Sequence, residues 1–386
     1  MKNFLKVICA VLTIGLVSCE KPEPIIQPDT TIKSLGTPAD NEIWFTTIDG
    51  RELMALDESA FDAEIVDIIY SDFDANIIRF AEPITTIGVG AFDNCRNINN
   101  ISLPNGVTTI GERAFFECIQ LECITFGNKI KEFGSQAFDG CNAIYSIHVA
   151  SIGYWCDINF ANPTANPIYN SGSFLVNGKK VTELAIPNWV ERVSNYAFYN
   201  CSILSSVKIP ASIKSIGEDA FYGCDGITKV DIEDIAAWCE INFASAFSNP
   251  LYMAGSLYVD GQPASVIALK GVETISPQAF QGCSNIKALV ADKSLKAIGD
   301  EAFRGCLGLT SVELQSGIKT IGGRAFMGCS ALSQVAVMAP EPPALGDKYV
   351  FDYNADGRKI YIPGGAYDLY IMAEHWSKYA DSFESI

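Results

Sequence analysis

Residues 302–329 read AFRGCLGLTSVELQSGIKTIGGRAFMGC. The stretch opens and closes on A-F-x-x-C, 23 residues apart, with L-x-x-V-x-L and then I-x-x-I-G between. The strand pattern L-x-x-[IVL]-x-[ILV] starts at Ala75, Ile98, Leu121, Ile144, Val181, Leu204, Ile227, Ala264, Ile286, Leu309 and Leu332. The steps are 22 or 23 residues, except for two of 37. A degenerate twelfth copy, KIYIP, occupies 359–363. Self-similarity at this period means a solenoid, because one such unit cannot bury its apolar face alone.

Each part of the repeat has a physical reason. Alternating apolar residues put one face of a short strand inward. The glycine of I-x-x-I-G recurs at 88, 111, 134, 217, 299 and 322, as a corner with unusual backbone angles requires. Ser194 and Ser276 replace it just after the long steps. Phe92, Phe115, Phe138, Phe198, Phe221, Phe280, Phe303 and Phe326 of A-F-x-x-C are expected to form one buried ladder.

The chain has 386 residues, 48% hydrophobic, and a formal net charge of −18. Such an acidic chain disfavours nucleic acid and anionic lipid surfaces as partners. MKNFLKVICAVLTIGLVSC (1–19) has two lysines and then an apolar run too short to span a bilayer, as in an export signal. Leu16-Val17-Ser18-Cys19 resembles a bacterial lipobox, which implies a lipidated Cys19; an ordinary cleaved signal with a chance cysteine is the other reading. The proline-rich EKPEPIIQPDTT after it reads as a tether.

The repeat is similar to that of the BspA-type leucine-rich repeat family of bacterial surface lipoproteins. The resemblance implies a mainly β repeat solenoid, a right-handed stack of about twelve coils. The expected layout is signal 1–18, anchor and tether 19–41, N-terminal β cap 42–74 around the Asp49-Gly50 turn, solenoid 75–338 and C-terminal helical cap 339–386. In that last cap Tyr367, Tyr370, Ile371 and Trp376 are expected on the packing side.

Cys9 leaves with the signal and Cys19 would carry lipid, so an odd eleven of the 13 cysteines remain. Eight occupy one repeat position, where neighbours about 4.8 Å apart point the same way. A disulfide needs Cβ atoms roughly 3.5–4.5 Å apart, so these read as buried thiols. A metal site is the alternative, without any C-x-x-C pair to support it. DYNADG (352–357) begins like a calcium loop, but its twelfth position is Pro363, which favours a hairpin turn. Catalysis finds little footing, with only His148 and His375 as histidines. His148 and Cys123 are possible neighbours on adjacent strands. No cofactor motif appears.

The long coils, 144–180 and 227–263, are related to each other. They share Trp155/Trp238, Cys156/Cys239, Phe160/Phe243, Asn166-Pro167/Asn249-Pro250 and the hairpin turns Asn177-Gly178/Asp260-Gly261. Each is expected to hold a short helix and a hairpin, its Trp and Phe replacing the missing A-F core. The hairpin is either packing or a recognition element.

Outward strand positions are mostly small or polar, as at Asn100, Ser102, Ser146, His148, Lys229, Asp231, Ser311 and Glu313. Val266, Ala268, Ala288 and Val290 break that trend. They are either covered by residues 245–262 or open to a partner. The signal implies an exported, lipid-anchored outer-membrane protein, with the surface favoured and the periplasmic side left open, and the resemblance implies that it binds an extracellular or host protein. A glycan-binding accessory lipoprotein, with Tyr169 and Tyr252 as aromatic platforms, is the alternative. A purely structural envelope protein is a third, and an enzyme comes last. Oligomeric state is not legible.

Overall fold

The computed structural model describes residues 34–71, 75–171 and 174–386. Cys19 and the tether up to residue 33 lie outside the described residues. From Ser34 onward the chain forms a leucine-rich repeat fold, mainly β with few helices. Each ordinary coil gives one strand to a larger sheet and a two-residue strand to a smaller one. Ser311–Leu314 and Thr320–Ile321 are such a pair. Parallel pairing places Ser311 opposite Ala288 on one side and Gln334 on the other, so equivalent residues of successive coils stand in file. Val312 and Leu314 point into the core while Glu313 is exposed, the alternation a half-buried strand requires.

The A-F-x-x-C turn closes each ordinary coil. The Phe N–H donates to the Ala carbonyl of the next coil, as from Phe303 to Ala325 at 2.8 Å. Rings of successive ordinary coils stack, with centroids 5.0 Å apart for Phe92–Phe115 and 5.3 Å for Phe303–Phe326, but the expected single ladder is broken at both long coils into Phe92–Phe115–Phe138, Phe198–Phe221 and Phe280–Phe303–Phe326. The thiol one coil on donates to the Phe carbonyl, as from Cys141 to Phe115 at 2.9 Å. All eleven cysteines from Cys95 to Cys329 are buried and unpaired.

The glycines of I-x-x-I-G are needed for a reason other than the expected one. Their φ angles are not positive. Instead, a Cβ on Gly134 or Gly217 would come within 2.4 Å of the backbone nitrogen of Glu112 or Asn195 in the preceding coil. The left-handed residues lie in the A-F-x-x-C turn, as at Asp219 (φ 50°) and Gly223 (φ 71°).

The first repeat copy departs from the pattern. Its strand, Asn76–Phe80, pairs antiparallel with Glu42–Thr47, which in turn pairs antiparallel with Ile98–Ser102. Only the second strand of that copy, Thr86–Ile87, stacks in parallel on the coil that follows. The Asp49-Gly50 turn does not join paired strands, because Ile65–Ile69 pairs with Asn76–Phe80 instead. Residues 34–41, expected to belong to the tether, lie on the fold. Ser34 Oγ is 2.9 Å from Thr125 Oγ1, and the Ser102 hydroxyl donates to the Gly36 carbonyl. Asn100 and Ser102 are therefore buried rather than outward, with the Asn100 amide donating to Thr46 Oγ1 at 2.9 Å.

Both long coils hold the expected helix, Ile152–Cys156 and Ile235–Glu240. Their hairpin turns have both central residues at positive φ, 50° and 74° at Asn177-Gly178 and 47° and 75° at Asp260-Gly261. The returning strands, Lys179–Lys180 and Gln262–Pro263, end their sheets, so the large sheet is broken into sheets of 8, 5 and 6 strands. Phe160 does not take the A-F place. It sits on Asn159–Phe160 in the small sheet, stacked on Phe133 at 5.2 Å. Trp155 enters the core from the helix, 5.4 Å from Phe174.

DYNADG is a repeat turn rather than a hairpin. Phe351 stacks on Phe326 at 5.6 Å, and Asn354 Nδ2 donates to the Phe326 carbonyl at 2.8 Å, the role a cysteine plays elsewhere. Asp352 is held by Lys378 Nζ at 2.6 Å. The chain then forms a helix, Tyr367–Met372, a 3-10 segment, Trp376–Ser382, and a last strand, Phe383–Ser385, added to the sheet. Tyr370 and Trp376 are buried as expected, but Tyr367 is exposed.

Candidate functional site

The outer face of the third large sheet starts with Val266–Leu269 and Ala288–Ala291. Their register sets Val266 beside Ala288 and Ala268 beside Val290. Ile267 and Leu289 between them fill the core, so the outward four are not needed there. Val266 is 53% and Val290 39% exposed, Ala268 is exposed and Ala288 partly so. Residues 245–262 do not cover them. The next strand ends the patch with Ser311 and Glu313 in the same file. The file after the first long coil, Glu183, Ala185, Ser206 and Lys208, is polar apart from one alanine.

Tyr169 and Tyr252 lie far apart in sequence, yet one row of rings links them. Tyr169 stacks on Tyr199 at 5.7 Å and Tyr199 on Tyr222 at 4.9 Å. Phe247 meets Tyr222 and Tyr252 edge-on, at 5.0 and 5.3 Å. Stacking occupies one face of Tyr169 and both sides of Tyr199. Tyr252 is 39% exposed. The row was readable in part, since Tyr199 and Tyr222 both follow the Phe of A-F-x-x-C one repeat apart. A second exposed pair, Tyr154 and Trp189, has no repeat signal at all.

His148 does not meet Cys123 across the strands. Its register partner is Thr125, while Cys123 opposes Ser146. The His148 ring lies 3.0 Å from Ser146 Oγ, and burial lowers its pKa. Burial pushes the Cys123 thiol up to about 11, which leaves it protonated and weakly nucleophilic at neutral pH.

The model of the BspA-type leucine-rich repeat region, in 6 copies, matches residues 63–165, 170–250 and 261–370. No curated protein matches. Among solved structures, a leucine-rich cell surface protein of Faecalibacterium prausnitzii is 18% identical, with 90% of this chain and 92% of that one covered and a TM-score of 0.44. A leucine-rich repeat protein of Bacteroides ovatus is 21% identical, with 83% and 91% covered and a TM-score of 0.36. Among the described residues no helix is long and apolar enough to cross a membrane. With the family pattern covering well over half of its length, this chain belongs to the BspA-type leucine-rich repeat family.

Proposed function

We propose that this protein is a binding module of the bacterial cell envelope, exported and held at the outer membrane by lipid on Cys19, with its repeats facing outward. Its partner is an extracellular or host protein, bound on the face formed by Val266, Ala268, Ala288 and Val290. The observation that carries this reading is the exposure of four in-register apolar side chains that the core does not use. Exposed apolar clusters of this kind are uncommon except at contact surfaces. The burial of the thiols and the scarcity of histidine support binding rather than catalysis.

The test is a Val266→Lys/Val290→Lys double variant of the full chain, assayed on an array of extracellular-matrix and host surface proteins. Binding to the proteins retained by the wild type should fall at least tenfold, while the melting temperature stays within a few degrees. Equal binding by both forms would place the contact elsewhere. A wild type that retains no protein favours a structural envelope role.

A further inference from the structure

Trp189 and Tyr154 form an exposed aromatic pair where the first long coil meets the coil after it. Each is 55% exposed, their centroids are 5.6 Å apart, and the planes are tilted by 56°. More than half of each residue's surface is open to solvent, against 40% and 39% for Tyr222 and Tyr252 of the stacked row. Trp189 rests on Gly153 of the helix Ile152–Cys156, where a Cβ would come within 2.2 Å of Cζ2.

The second long coil supplies an internal control. The shared Trp-Cys pair aligns Gly153 with Ala236 and Tyr154 with Ala237, and the valines Val190 and Val272 align Trp189 with Gly271. At the first junction the Trp155 indole N–H donates to the Ala197 carbonyl, and at the second Trp238 donates likewise to Ala279, so the fold does not need the exposed rings. Glycine weakens a helix relative to alanine, and it appears only where Trp189 lies above it. The first junction is thus shaped to hold an exposed tryptophan in a fixed place.

An ion pair joins the same two segments, three residues beyond each ring. Arg192 Nε donates to Asp157 Oδ1 at 2.6 Å, and both side chains keep well over half of their surface in water. Asn188 and Glu191, on either side of Trp189 in the chain, are also exposed. Beside Tyr154 lies a shallow dent, no larger than about one water molecule, lined by Phe126, Ile130, Val149, Trp155 and Ile158. A stable protein interface needs roughly 800 Å² per partner around an apolar centre. Two rings in a polar, hydrogen-bonding rim suit a smaller, hydroxyl-rich ligand.

We propose that Trp189 and Tyr154 form a carbohydrate-binding site. The rings take the apolar C–H faces of sugar units, and the Asp157–Arg192 pair takes hydroxyl groups. This site is separate from the Val266–Val290 face, and either can hold without the other.

The test is the full chain on an array of microbial and mucin-type oligosaccharides, with the extracellular-matrix protein array alongside. The wild type should retain a defined set of sugars. Trp189→Ala and Tyr154→Ala should each weaken that binding at least tenfold, and Gly153→Ala should do so by displacing Trp189, all with melting temperatures near the wild type. Val266→Lys/Val290→Lys should bind sugars as the wild type does. A wild type that retains no oligosaccharide, or sugar binding unchanged in Trp189→Ala, overturns the proposal. Retention of a protein instead, lost in Trp189→Ala, would make the pair a protein contact. If both aromatic variants fail to fold, the rings are structural and the proposal also falls.

Discussion

The indole N–H of Trp155 donates to the carbonyl of Ala197 at 2.7 Å, and that carbonyl also accepts from Asn166 Nδ2 at 3.1 Å. In an ordinary coil this carbonyl receives the backbone N–H of the preceding phenylalanine, as Ala220 does from Phe198 at 2.9 Å. Side chains thus replace a missing backbone donor where the repeat is interrupted. Trp238 and Asn249 do the same for Ala279. Trp155→Phe should cost about 1 kcal/mol through the lost bond, and Asn166→Ala more, because its amide also donates to the Tyr196 carbonyl at 2.7 Å and its Oδ1 accepts from the Ile168 N–H at 2.9 Å. The pair of changes should cost more than the sum, because the buried carbonyl then has no donor. Urea unfolding midpoints of the four forms would check this, and simple additivity would contradict it.

Gly217→Ala should destabilise by about 1–3 kcal/mol, since its Cβ must push away the Asn195 backbone. Ser194→Ala at the equivalent site after the long coil should stay within about 0.5 kcal/mol, because a Cβ is already accommodated there. Thermal unfolding of the two variants compares them directly.

Phe221 is fully buried and stacks on Phe198 at 5.4 Å. Phe221→Ala should open a cavity in the ladder and cost about 3–5 kcal/mol by denaturant unfolding. Val290→Ala, on the open face, should change stability by less than about 0.5 kcal/mol. Similar losses at both sites would refute the assignment of inner and outer faces.

The thiols give a pH dependence. Burial raises Cys95 and Cys283 to about 11 and Cys201 to about 12. The unfolded chain releases these protons first, near the ordinary thiol range, so it binds fewer protons than the native state between there and the raised values. Stability should therefore be unaffected by the thiols below about pH 8 and fall as pH rises from about 9 toward 11 and beyond. Unfolding midpoints across that range test the slope. Maleimide at pH 8 should label the native repeats negligibly and the urea-unfolded chain fully.

Cys19→Ala should move the protein from the detergent phase to the aqueous phase on partitioning of whole-cell extracts. Retention in the detergent phase would rule out the lipid anchor.

The sequence by itself determined the coil. Apolar alternation and A-F-x-x-C made the strand and the stacking of rings between ordinary coils legible, because each is a local demand repeated at one period; the recurring glycine marked a constrained place, but the constraint is the backbone of the preceding coil rather than an unusual φ. The sequence also marked Val266, Ala268, Ala288 and Val290 as outward, since strand alternation alone sets which way a side chain points. Only the tertiary structure decided what covers that face, and it left the four open while burying Asn100 and Ser102 under residues that precede the repeats. It decided that Glu42–Thr47 enters the first sheet antiparallel, that hairpins break the sheet, and that DYNADG is a repeat turn. It also brought Trp189 over Gly153 and joined Tyr169 to Tyr252 through a row of rings. Most of these relations lie between segments with no shared period, Tyr199 and Tyr222 and the DYNADG turn being the exceptions. A repeat pattern carries no information about which non-repeating surfaces meet, and their contacts are settled by the shape left over once the coils have stacked.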